Sequence, residues 1–262
     1  WRDHPDTLPL LHERILTDPD WRVRQATVQA LAAGWRNHPD TLPLLRECAL
    51  RDPHDLSRKA AIEAIAAGRR DHPDTLPLLH EHARTDPNWS VRQTTVQALA
   101  AGWRNHPDTL PLLHGHARTD PNWSVRRATV QALAAGWRNH PDTLPLLREL
   151  ARTDPDEDVR AAALRAIAAR WRDHPGTLPL LRERTLADPH HGVRTSAIQA
   201  VAAGWREHPG TLDWLRARAL KDPDGDMRTT AIQAVAAGWR EHPGTLDWLR
   251  ARALKDPDGD MR

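Results

Sequence analysis

Apolar side chains fall along this chain in a rhythm that restarts every 34 positions. In the opening stretch Leu8, Leu11 and Ile15 follow helical spacing and predict the buried stripe of a short helix. Asp6 or Thr7 offers a cap for its free N–H groups, and Pro9 sits in the first turn, where a missing donor costs little. Asp18-Pro19 closes this helix, because the residue before proline is pushed out of the α region. Asp20 then offers a second cap. From there Val23, Thr27, Val28, Ala30 and Leu31 predict a longer helix reaching Gly34, with Val23, Thr27 and Leu31 turned inward. No alternating strand pattern competes, so the reading is all-α.

The arithmetic of the repeat fixes the organisation. The units begin at Trp1, Trp35, Arg69, Trp103, Trp137, Trp171, Trp205 and Trp239, and the eighth stops after 24 of its 34 residues, at Arg262. All 22 prolines occupy three places in the unit, which makes them punctuation of one repeated fold. Ala30 recurs as Ala64, Ala98, Ala132, Ala166, Ala200 and Ala234, a small residue that lets neighbouring helices approach. Two helices per unit make a hairpin that cannot bury its faces alone, so the hairpins must stack. Residues 1–262 therefore read as a single array of about eight helical hairpins, the last one truncated.

Composition narrows the possibilities. Hydrophobic residues make up 39% and charged residues 27%, which suits a folded chain. Lys+Arg number 37 against 35 Asp+Glu, so the chain as a whole is no polycation. Its one cysteine, Cys48, excludes an internal disulfide framework and a multi-cysteine zinc site, and its default role is a free structural thiol. No apolar run is long enough for a membrane span. The opening residues carry no signal-peptide pattern and no initiating Met, so a cytoplasmic fragment of something longer is the expectation.

Paired leucines in the first helix, then Asp18-Pro19 followed by Val23-Arg24, then an Ala-rich second helix ending at Gly34, resemble the HEAT repeat. The resemblance covers essentially the whole chain and implies a right-handed α-α superhelix, a HEAT-like solenoid. High-identity arrays of this kind are similar to the sensor or partner-binding regions of bacterial STAND-type signalling ATPases. Ser57, Arg69 and Arg170 depart from the pattern, standing where other units carry Val, Trp and Gly. The Asp and Arg of the motif recur in every unit: Asp18 and Arg24, Asp52 and Arg58, Asp86 and Arg92, Asp120 and Arg126. They continue as Asp154 and Arg160, Asp188 and Arg194, Asp222 and Arg228, and Asp256 and Arg262. Such a ladder suits charge-assisted bridges within and between units, setting the stacking angle.

Second helices of such stacks line the concave face, so their outward positions are the candidate partner surface. We number positions within the unit as slots 1 to 34. By 3.6-residue geometry Arg22, Gln25 and Gln29 lie opposite the core-facing residues. With their counterparts and the turn-adjacent tryptophans, the candidate face is Trp21, Arg22, Gln25, Gln29, Trp89, Gln93, Gln97, Trp123, Arg127, Gln131 and Arg165. Trp and Arg are favoured interface anchors, but the plainer reading lays each slot-21 Trp flat over the neighbouring Asp-Pro turn. The Trp that opens each unit is a packing residue.

Reactive chemistry is not written in the pattern. One His per unit, His4 through His242, forms a column whose members stand about 8–10 Å apart, the spacing of packed helices, too far to share a metal. A His before Pro is suited to hold the turn. His12-Glu13 and His80-Glu81 are too few for a di-iron set, and no phosphate loop or nucleophile elbow is present. The expectation is a non-enzymatic array, without cofactor or metal, that binds a protein along its concave face. Duplex nucleic acid is the alternative, weakened because Arg22 and Arg127 alternate with Asp158, Asp226 and Asp260. A designed scaffold without a native ligand is a third reading. Uncapped repeat ends favour end-to-end self-association.

Overall fold

The computed structural model describes His4 and residues 6–255, leaving aside the side chains of residues 253–255. Trp1, Asp256, Asp260 and Arg262 lie outside the described residues. Among the described residues there are fifteen α-helices and no strand. The chain divides into two compact units, Trp1–Trp137 and Arg138–Arg262. The first holds α1 (Thr7–Thr17), α2 (Trp21–Gly34), α3 (Thr41–Arg51), α4 (Asp55–Gly68), α5 (Thr75–Thr85), α6 (Trp89–Gly102), α7 (Thr109–Thr119) and α8 (Trp123–Gly136). The second holds α9 (Thr143–Thr153), α10 (Glu157–Arg170), α11 (Thr177–Ala187), α12 (His191–Gly204), α13 (Thr211–Lys221), α14 (Gly225–Gly238) and α15 (Thr245–Lys255). In each unit the odd helix pairs with the even helix that follows, and successive even helices pack side by side. Successive odd helices scarcely meet.

Sequence explains where each helix begins. His38-Pro39-Asp40-Thr41 forms a type I turn, with Asp40 at φ −79 and ψ −15 and the Thr41 N–H bonded to the His38 carbonyl at 3.1 Å. The expected cap at Asp6 or Thr7 is not made: no slot-6 side chain caps its helix. The reason is local. Slot 6 is already in the α region, its N–H donates to the preceding His Nδ1, as Asp40 does at 3.4 Å, and its carboxyl turns outward. The Thr hydroxyl instead turns back, Thr41 Oγ1 donating to the Trp35 carbonyl at 2.7 Å. At the second helix the cap does form: Asp20, Asn88 and Asn122 accept the slot-22 N–H at 2.9, 2.7 and 2.8 Å.

The core follows the helical stripe. Ile15, Val28 and Leu31 are buried, as are Leu79, Leu113, Leu147 and Leu181 on later first helices. Val23, expected inside, is 39% exposed, whereas Val91 and Val125 at the same slot are fully covered. Slot 23 is buried against the preceding hairpin, and Val23 belongs to the first described one. Leu11 is half-buried for the same reason, whereas Leu8 shares its half-buried state with Leu76, Leu110, Leu178 and Leu212.

The ladder joins hairpins. Arg24 grips both oxygens of Asp52, Nε–Oδ2 2.6 Å and Nη2–Oδ1 2.7 Å, while its Nη1 donates to the Asp18 carbonyl at 2.8 Å. Arg58 holds Asp86, Arg92 holds Asp120 and Arg160 holds Asp188 in the same two-pronged way. Each of these carboxylates also accepts the N–H two residues on and meets a slot-14 side chain: Cys48, His82, His116 and Arg184 in turn. One rung differs from these four. Arg194 bonds Asp224, not Asp222, because slot 20 there is a second carboxylate and Asp222 is served by Arg218 at 3.6 Å.

Two outcomes follow. Arg24→Ala leaves the buried Asp52 with no cation and lowers unfolding free energy by about 3–5 kcal/mol. Arg160→Ala costs less, since Arg184 still pairs with Asp188; urea titrations of both variants check the order. Burial alone would raise the Asp86 carboxyl, but the bonds from His82, Arg58 and the Asn88 N–H hold it well below the usual carboxylate range. At Asp120 burial is likewise outweighed by Arg92, His116 and the Asn122 N–H. A carboxyl whose folded pKa is depressed contributes stability that is complete above its ordinary value and fades as pH falls below it. The stability gap between wild type and an Asp86→Asn, Asp120→Asn double variant is therefore full at pH 6 and shrinks below about pH 4.

Candidate partner face

Slots 21, 25, 29 and 33 recur every four residues and share one side of each second helix. On α6 this side presents Trp89, Gln93, Gln97 and Ala101; on α8 it presents Trp123, Arg127, Gln131 and Ala135. Gln97, Gln131, Ala101 and Ala135 are exposed, while Gln93 and Arg127 are half-buried. Trp89 and Trp123 are 43% and 36% exposed. Arg127 lies over the Trp123 ring, 4.7 Å from its centroid, which holds the indole face in a fixed place. Between α6 and α8 runs an open trough of about 420 Å³ whose walls include Gln97, Ala100, Ala101, Gln131 and Ala135.

Other members of the face sit differently. Trp21 lies flat on His54 of the next Asp-Pro turn, ring centroids 4.2 Å apart and planes within 5°, with Arg22 at 4.7 Å from the ring. It is half-buried, and Gln25 beside it is too, while Arg22 and Gln29 are exposed. Slot 22 varies between hairpins: Ser124 is buried and Ser90 Oγ stands 3.4 Å from Asp55 of the preceding one, whereas Asp158 and Asp226 are exposed. In the second unit Arg165 is exposed and donates to Ser196 Oγ at 3.1 Å. The alanines that floor the trough escaped the sequence reading, which used alanine only as a spacer between helices. The signal was present as an Ala pair just before each Gly.

The remaining candidates resolve as structure. The opening tryptophans Trp137, Trp205 and Trp239 are buried. Arg104 reaches over the Trp137 ring at 6.0 Å. Where Arg69 replaces Trp, its Nη2 donates to the His38 carbonyl at 3.0 Å, and a groove of about 670 Å³ opens beside it. The His column holds turns, Nδ1 of His38, His72, His106 and His140 accepting the slot-6 N–H at 3.3–3.4 Å. Cys48 is buried, and burial beside Asp52 pushes its thiol up to about 12, far from thiolate chemistry. Among the described residues no group of three or more His, Cys, Asp or Glu is placed to hold a metal ion, and no helix is long and apolar enough to cross a membrane.

Comparison with known proteins gives the same architecture. The sequence profile described as HEAT repeats matches residues 1–66, 49–134 and 116–202. No curated protein matches the chain. The X-ray structure of YibA from Escherichia coli is similar over 99% of this chain and 90% of its own, with 23% identity and a TM-score of 0.60. The complex of CpcE and CpcF of phycocyanin lyase from Nostoc sp. PCC7120 is similar over 95% and 96%, with 18% identity and a TM-score of 0.43.

The two tryptophan classes separate in a stability measurement. Trp137→Ala opens a core cavity and costs about 3–5 kcal/mol. Trp89→Ala removes a side chain that already keeps 43% of its surface in water and costs less, about 1–2 kcal/mol. Equal losses by urea denaturation contradict the assignment of Trp89 to an open face.

Proposed function

Because the chain belongs to the HEAT-repeat family, we propose that it is a non-catalytic scaffold that holds a protein partner along the open side of its second helices. That side is taken as the concave wall of the stack, and in the first unit it centres on Trp89, Gln93, Gln97, Trp123, Arg127 and Gln131. The observation that carries the reading is the contrast between tryptophans. Trp137 at slot 1 is 9% exposed, whereas Trp89 at slot 21 keeps 43% of its surface in water. Two such indoles on adjacent helices, beside an Ala-floored trough edged by glutamines, supply apolar anchors and a rim of neutral hydrogen-bonding groups. A protein segment satisfies both; a phosphate backbone does not, since one cation, Arg127, stands among those six residues. A sensor array feeding a signalling ATPase is the setting in which such a surface fits.

The test is capture of partners by the full chain, followed by cross-linking that maps the contact. Trp89→Ala with Trp123→Ala is expected to lower the affinity of the mapped partner at least tenfold while leaving the fold intact. An unchanged affinity, or a duplex DNA that binds at low salt in place of any protein, overturns the proposal.

A further inference from the structure

At slot 12 the first helices of units two, five, six and seven carry arginine, and slot 6 of the following hairpin lies across from it. Arg46 shows the pairing, its Nη1 donating to Asp74 Oδ2 at 2.6 Å. In units six, seven and eight the slot-6 acid is replaced by Gly176, Gly210 and Gly244. Arg148 compensates by turning to His174 Nδ1 at 2.8 Å. Arg182 has no such substitute. Its flat face covers the Trp214 ring, 5.3 Å from the centroid, and its Nε and Nη2 are buried with no acceptor. Burial holds the Arg182 pKa below the ordinary arginine value, with no neighbouring carboxylate to counter it.

The molecule itself displays what that edge of a guanidinium grips. Arg24, Arg58, Arg92 and Arg160 each present Nε and Nη2 to the two oxygens of one carboxylate, at 2.6–3.0 Å. Arg182 lines a groove of about 820 Å³ together with Arg172, His174, His208, Leu178 and Trp205, and one acid, Asp173, shares that lining. The turn at its rim also differs from those of the earlier hairpins and shares its form with the turn at Gly244. His208-Pro209-Gly210-Thr211 is a type II turn, with Gly210 at φ +79 and ψ 0. The flipped peptide presents the Pro209 carbonyl to His208 Nδ1 at 2.9 Å, so Nδ1 carries the proton there.

We propose that the groove around Arg182 binds a carboxylate group, whose two oxygens take the Nε–H and Nη2–H edge. This site stands apart from the partner face of the first unit, and either reading can fail without the other. Because both nitrogens are covered, binding requires the guanidinium to slide off the Trp214 ring. Trp214 is therefore the natural reporter.

The experiment titrates the full chain with sodium acetate at constant pH and ionic strength, reading the Trp214 indole N–H and the Gly210 amide by ¹⁵N NMR. Both are expected to shift saturably. Arg182→Lys keeps the charge but not the fork and is expected to weaken the response at least tenfold. Gly210→Asp, which returns slot 6 to the residue that serves Arg46, occupies the edge internally and abolishes it. This second variant carries the test if Arg182→Lys fails to fold by circular dichroism. A capped Gly-Glu-Gly peptide that binds more tightly than acetate identifies an acidic side chain as the source; the reverse order identifies a small free acid. No saturable shift, equal responses in the variants, or tighter binding of inorganic phosphate than of acetate overturns the proposal.

Discussion

Arg24, Arg58, Arg92 and Arg160 each tie their hairpin to the next through a guanidinium that reaches forward to a buried carboxylate and backward to its own Asp-Pro turn. Arg92 shows the geometry, holding Asp120 at 2.9 Å through two N–H groups and the Asp86 carbonyl at 2.9 Å through a third. The bond is two-pronged and planar, so it fixes orientation as well as distance. Burying such charges is costly unless every lone pair is met. The structure meets them with the arginine fork, a backbone N–H and a slot-14 side chain around one carboxylate. The apolar stripe supplies the drive to stack; the ladder specifies how.

Once that register is set, the fate of the tryptophans follows from where each slot falls relative to it. Slot 1 lands between hairpins and is covered by an arginine of the unit before, as Arg104 covers Trp137. Slot 21 lands on the first turn of the second helix, where only a neighbouring turn residue can cover it. His54 does so for Trp21, with its ring plane nearly parallel. Trp89 and Trp123, at the same slot, keep 43% and 36% of their surface exposed. A solenoid thus gains a distinctive patch through small changes at a turn, with the core unaltered.

The same logic governs the turns before the first helices. Where slot 6 is Asp, His-Pro-Asp-Thr folds as a type I turn and the His Nδ1 accepts an N–H. Gly176 keeps that form at φ −87, whereas Gly210 adopts +79 and reverses the peptide. Glycine alone moves between these states at small cost. The exchange of Asp for Gly removes a carboxylate from the slot-12 arginine of the unit before, and Arg182 is left with its fork unmet.

Period, helix class, boundaries at proline, the identity of the ladder residues and the core stripe were all legible in the sequence, because each depends on contacts repeated within one unit or at a fixed offset of one unit. What the sequence did not determine lay in competition between neighbours. Two carboxylates, Asp222 and Asp224, were equally available on paper, and only packing decided that Arg194 takes the second. The slot-6 Asp read as a helix cap, yet the turn spends its N–H on histidine and turns its carboxyl away. Slot 22 read as part of the open face, and it is exposed at Arg22, Asp158 and Asp226 but buried at Ser124. Periodicity reports which residues share a side of one helix; which side meets a neighbour, and which polar group wins a shared partner, are properties of the stacked hairpins and exist only in three dimensions.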